Sequence, residues 1–192
     1  EALRIGTQNG TGKLASADGF FTNAAVKILM PEEAKKVEST LRNIGLGSLV
    51  DKAVLSMNRA AEDAAKSATP IFVEAIKAMT ISDALGILKG GDYAATNYFK
   101  DKTTVSLANA FRPVIEKALT KVNATKYWKD VFTAYNNFAA KPVNTDLVTY
   151  VTEKSLTGIF YEVGQEELKI RKDPAARVTD LLKKVFGSNT QQ

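Results

Sequence analysis

The chain contains no histidine and no cysteine. Their absence removes the usual general base at neutral pH, the commonest transition-metal ligand and every thiolate nucleophile. Serine–histidine and cysteine–histidine catalysis is excluded on composition alone. Carboxylates, lysines and tyrosines remain for chemistry, and oxygen ligands of this kind suit calcium or magnesium rather than zinc. The expectation is no catalytic residue, no metal site and no cofactor.

Two polar motifs are the densest. Within 57–65, Arg59 is followed by Glu62 at i+3 and Asp63 at i+4, amid alanines at 60, 61, 64 and 65, with Asn58 one turn before Glu62. A solvated face with weak ion pairs and a partly buried cluster both fit this pattern. Glu62 and Asp63 point roughly 100° apart around a helix, which argues against a shared reacting centre. The second motif, 171–177, carries Arg171, Lys172, Asp173 and Arg177, with Pro174 directly after the aspartate. Charge complementarity predicts that Arg59, Glu62 and Asp63 pack against 171–177, with Asp173 capping a last helix. These seven residues are the candidate binding set.

Nine of the sixteen aromatic residues lie between Tyr93 and Phe138. On a helix opening at Thr125, Tyr127, Val131, Tyr135 and Phe138 form one stripe, and Trp128, Phe132 and Tyr135 form another beside it. So wide an aromatic face is either core or the lining of an apolar pocket, for which Tyr98, Tyr127, Trp128, Phe132 and Tyr135 are the candidates. The run from Gly6 to Lys13 has the flavour of a phosphate-binding loop but fails its test. The first glycine is misplaced, Leu14 stands where Ser or Thr is required, and no strand precedes it. It reads as a glycine-softened helix.

The elements that must position these residues are helices. Apolar positions recur at three- and four-residue spacing, most clearly at Leu49, Val50, Ala53, Val54, Met57, Ala60, Ala61 and Ala64. Gly and Pro divide the chain into segments near 1–14, 23–30, 31–45, 49–64, 71–79, 80–89, 93–99, 103–122, 125–140, 145–172 and 174–186. Thr80 or Ser82, Asp92, and Thr145 or Asp146 are expected caps, Gly90-Gly91 a stop and Pro113 a bend. The β-branched run 147–152 still fits a helix better than a period of two. The expected fold is all-α: a single-domain bundle of about eight to ten helices over 1–187, with 188–192 a disordered tail.

At 192 residues and 45% hydrophobic content, the chain can bury a core without disulfide or metal. No apolar run approaches the roughly 20 residues of a membrane span. The net charge of +5 arises wholly in the second half: residues 1–96 carry 11 basic and 11 acidic groups, residues 97–192 carry 15 and 10. Acids interleave with the basic C-terminal residues, so no nucleic-acid partner is expected. Glu1-Ala-Leu-Arg-Ile reads as the inside of a helix without a cap, which predicts an upstream segment.

The segments ALRIGTQNG, ILMPEEAKKVE, SMNRAAEDAA, ILKGGDYAATNYF, TKYWKDV and RKDPAARVTDLLKKVFG together resemble a bacterial family known as domain of unknown function 4197. The resemblance covers nearly the whole chain. It implies an exported, lipoprotein-like protein, periplasmic or anchored at the outer membrane, with a signal or lipid anchor upstream of Glu1. It brings no activity, substrate or site residue. The leading functional reading is a non-enzymatic envelope module that binds a protein partner or an envelope component. The alternatives are a carrier for a lipid or other apolar ligand between its helices, and an enzyme working through carboxylates and lysines.

Overall fold

The computed structural model describes residues 1–137, 142, 145–173, 180 and 183. The stripe that runs from Leu49 to Ala64 becomes α3 (Gly47–Ala65), and its alanines are buried at 60, 61, 64 and 65. The β-branched run from Leu147 lies in α8 (Leu147–Lys172), the most deeply placed element, with more than half of its residues buried. Helix wins there because burial recurs at Val148, Val151, Thr152, Ser155 and Ile159, the three-and-four period of one helix face. Thr152 and Ser155 turn their hydroxyls back onto the carbonyls of Val148 and Val151, so no polar group is left unpaired on that face.

Around α8 pack α1 (Ala2–Ala15), α6 (Ala94–Lys121), α3 and α7 (Ala124–Asn136). The shorter α4 (Ala68–Lys77) lies against α1 and α6. Two helices are peripheral: α2 (Lys35–Asn43), reached through a 3-10 turn over Glu32–Ala34, and α5 (Ile81–Lys89). Neither contains a buried residue. The core centres on Phe72, whose ring meets Phe99 edge-on at 5.2 Å and Phe160 at 6.2 Å. Among the described residues every regular element is helical.

The expected all-α class is the class observed, but three of the expected segments differ, one being non-helical and two being merged, which reduces the count of about eight to ten. Segment 23–30 is not a helix: it is turn and irregular chain. Asn58, buried on α3, accepts the Ile28 N–H at 2.9 Å and donates to the Ile28 carbonyl at 2.8 Å. Those are the backbone groups a helix would have used for itself. Segments 93–99 and 103–122 are one helix, α6, which runs 28 residues through Pro113 without a break. The expected helix at 174–186, the tail 188–192, Phe138 and Arg177 lie outside the described residues.

Several local signals act where the sequence places them. Thr80 opens α5 with a reciprocal capping box to Asp83, and Gly90 ends it. Asp146 caps α8 through the Thr149 N–H. Gly45 takes φ +83° after α2, a conformation that costs a glycine little. The segment from Gly6 to Lys13 is the middle of α1, packed on α8. A Cβ on Gly10 would stand 3.1 Å from the backbone of Glu162 and Val163. Gly10 therefore serves helix–helix approach.

Candidate functional site

Buried carboxylates organise the molecule. Glu62, 4% exposed on α3, accepts the backbone N–H groups of Phe20 and Phe21, each at 3.2 Å, and the Arg59 guanidinium at 2.7 Å. Arg59 also holds Asp18, at 2.7 Å. That aspartate has φ +64°, where the chain turns sharply into Gly19 and Phe20. The cluster closes the 16–21 turn onto α3.

On α8, Glu167 does the same for a helix end. Oε1 accepts the Ala95 N–H at 2.9 Å, and Oε2 accepts the Thr96 N–H and hydroxyl, both at 2.8 Å. A carboxylate from another helix thus caps α6 and faces the positive end of its dipole. Asp92, the cap expected from sequence, instead pairs with Lys172. Arg171 completes the arrangement: its Nε and Nη2 donate to Glu167 at 2.9 and 2.7 Å, and Nη2 also donates to the Ile87 carbonyl of α5 at 2.8 Å. Two further acids line the α1 side of α8. Glu162 receives Lys13 at 2.8 Å and Asn23 at 2.7 Å, and Glu166 receives Asn9 and Lys169.

Beside the Glu167–Arg171 pair lies a cavity of about 240 Å³. Leu3 and Gly6 of α1, Ile87 and Leu88 of α5, Phe99 of α6 and Val163 of α8 form much of its wall. The lining is almost wholly apolar. A second, more open groove lies between α4, α5 and α6, with Tyr98, Asp83 and Lys102 at its surface.

The resolved ionisation shifts favour the forms these groups already hold. Hydrogen bonding to Glu166 raises Lys169 against the cost of burial. The Thr80 hydroxyl and backbone lower Asp83. Burial works to raise Asp146, but hydrogen bonds from Thr149 and the charge of Arg112 bring it below its ordinary value. Burial, with Glu33 and Glu32 nearby, pushes the Tyr150 hydroxyl up to about 12; that hydroxyl donates to the Leu29 carbonyl at 2.8 Å.

The seven candidate binding residues do not form one cluster. Arg59 and Glu62 belong to the 16–21 turn, and Asp63 is on the surface with Lys66. Arg171 serves Glu167, and Lys172 serves Asp92. Asp173 is the C-cap residue of α8. Arg177, on which the expected pairing of the two motifs also rests, lies outside the described residues.

The aromatic candidates divide too. Trp128 and Phe132 are buried with ring centroids 4.5 Å apart, Trp128 stacks on Tyr150 at 6.0 Å, and Tyr135 meets Phe132 edge-on at 6.4 Å. Trp128, Phe132 and Tyr135 thus pack with the core. Tyr127 is 64% exposed, and Tyr98 borders the α4–α6 groove.

Sequence reasoning passed over Glu162, Glu166, Glu167 and Asn58 as functional groups. A signal was present on α8: Glu162 and Glu166 fall on the stripe that includes Ser155, Ile159, Val163 and Ile170. Acids in phase with an apolar face must find internal donors.

No described helix is long and apolar enough to cross a membrane. No curated protein and no solved structure gives a significant match to this chain. The family model described as a protein of unknown function (DUF4197) matches residues 1–187, and the chain belongs to that family.

Proposed function

We propose that this chain is a non-enzymatic helical module of the bacterial cell envelope, and that it binds an envelope component by seating an apolar group in the cavity beneath α5. The cavity carries the reading. Its volume, about 240 Å³, exceeds the ~150 Å³ of an apolar cavity that takes up benzene. The envelope location rests on the resemblance of the quoted motifs to exported proteins. The non-enzymatic reading rests on the absence of histidine and cysteine from the sequence.

The test is titration of purified protein with N-phenyl-1-naphthylamine, an uncharged fluorophore that brightens in apolar surroundings. Saturable binding at one site is expected, with loss of that site in Ala84→Trp, which places an indole at the cavity mouth. Ala84 is exposed on α5, so the substitution leaves the core intact. An unsaturable response in the unmodified protein would sink the proposal.

A second reading, a protein partner, is supported by Ile44, Leu46 and Leu49 at the α2–α3 junction, which are 64%, 40% and 53% exposed. Polar substitution of all three should leave fluorophore binding unchanged under the first reading. If it also leaves every interaction of the protein in its native envelope intact, the second reading fails.

A further inference from the structure

The cavity has three polar lining residues, Thr7, Glu167 and Arg171. The Thr7 hydroxyl donates within α1, with the Leu3 carbonyl at 2.8 Å and that of Arg4 at 3.1 Å. Both oxygens of Glu167 are engaged, by Ala95 and Arg171 on one side and by Thr96 twice on the other. Arg171 is held between that carboxylate and the Ile87 carbonyl, and its side chain is 13% exposed. The one full positive charge on the wall is therefore matched by the one full negative charge, in direct contact at 2.7 Å. An entering polar group would have to compete with these bonds.

We infer that the site selects an uncharged hydrocarbon end of an amphiphile, admits it by shape and apolar contact alone, and leaves the polar head in solvent whatever its charge. Arg171 on this account is not an anion receptor. It is a positioning residue that holds α5 over the cavity through Ile87, while Glu167 neutralises it. The inference rests on the cavity reading proposed above and adds the chemistry of the ligand to it. The occupant follows from the wall: an almost wholly apolar lining, in which the charges of Arg171 and Glu167 are paired with each other, rewards methylene and aromatic carbon and penalises charge at the buried end.

The test is competition against N-phenyl-1-naphthylamine with a ten-carbon series used below micelle formation: decanol, decanoate, decyltrimethylammonium and decanedioate. The first three share one apolar end and differ in head charge. Decanedioate is charged at both ends. Displacement by the first three within about fivefold of one another is expected, with decanedioate about 100-fold weaker. Two results overturn the inference while leaving the cavity reading in place. One is a preference for decanoate of about tenfold or more over decanol and decyltrimethylammonium, which Arg171→Gln would trace to the guanidinium if the preference vanished. The other is decanedioate binding as well as decanoate. Failure of the fluorophore itself to bind removes the cavity reading and the inference with it. The series is run on the unmodified chain, so its outcome is independent of whether a variant folds.

Discussion

Glu62 and Glu167 solve the same problem in two places. Each is a buried glutamate that gathers backbone N–H groups from a distant segment, 41 and 71 residues away in the chain, and each takes an arginine from its own helix. They differ in what surrounds the arginine. Arg59 is 43% exposed and shares itself with Asp18 at the surface, whereas Arg171 is 13% exposed and reaches across to α5. The Glu62 cluster closes a turn against solid core. The Glu167 cluster stands beside a cavity and holds a helix that has no buried residue. Identical local chemistry thus yields a closure at one site and the wall of a cavity at the other.

The largest effect expected is from Glu167→Ala. It orphans two N–H groups at the start of α6 and leaves Arg171 buried without its carboxylate, at a cost of about 3–5 kcal/mol in urea denaturation. Glu62→Ala should cost less, about 1–3 kcal/mol, because Arg59 can turn to water and Asp18. Equal losses for the two would break the comparison.

Gly158→Ala sharpens it from the packing side. A Cβ there would lie 2.5 Å from the Phe20 ring, in the turn that Glu62 closes, whereas a Cβ on Gly12 meets nothing within 4 Å. The first substitution should destabilise by about 1–3 kcal/mol. Gly12→Ala, in the same assay, should be neutral or stabilise by up to about 1 kcal/mol. A Gly158→Ala protein as stable as the parent would show that the turn yields easily and that Glu62 does not hold it firmly.

Arg59→Ala should cost below about 1 kcal/mol, since its charge is partly solvated and Glu62 keeps both backbone donors. A loss as large as that of Glu167→Ala would place Arg59 in the same class as Arg171.

The smallest effect is a local one in acid. Asp83, lowered by its hydrogen bond from Thr80, contributes to the α5 capping box above the ordinary carboxylate range, about 3.9. That contribution is lost as pH falls through the lower folded value. Protection against amide exchange, relative to the intrinsic rate at each pH, should therefore fall in the first turn of α5 ahead of α1 on acidification, and a uniform fall across both would contradict it.

Much of the fold is legible in one dimension because helix signals are local. The buried stripe of Val50, Val54, Met57, Ala60, Ala61 and Ala64, the Thr80 and Asp146 caps and the Gly90 stop each act within about one turn of themselves and appear in the structure, whereas Leu49 at the head of the stripe is 53% exposed. Segment 23–30 misled because its apolar spacing is helical while its backbone groups are claimed by Asn58 from another element. The candidate site was less legible. Arg59 and Glu62 do meet, at the i+3 spacing the sequence offers. Their joint partner, the turn at Asp18–Phe21, carries no charge pattern that could announce it beyond Asp18 itself.

Composition alone removed histidine and cysteine chemistry, and spacing alone determined that the regular elements would be helices with apolar faces. Those properties depend on residue type and on neighbours three or four positions away. Only the tertiary structure decided that Glu167 caps α6, that Arg171 reaches Ile87, and that a cavity opens between α1, α5, α6 and α8. Each requires groups far apart in the chain to converge within hydrogen-bond or van der Waals distance. A carboxylate's partners inside a protein are chosen by which unpaired N–H groups the packing brings to it, and sequence spacing does not encode that convergence.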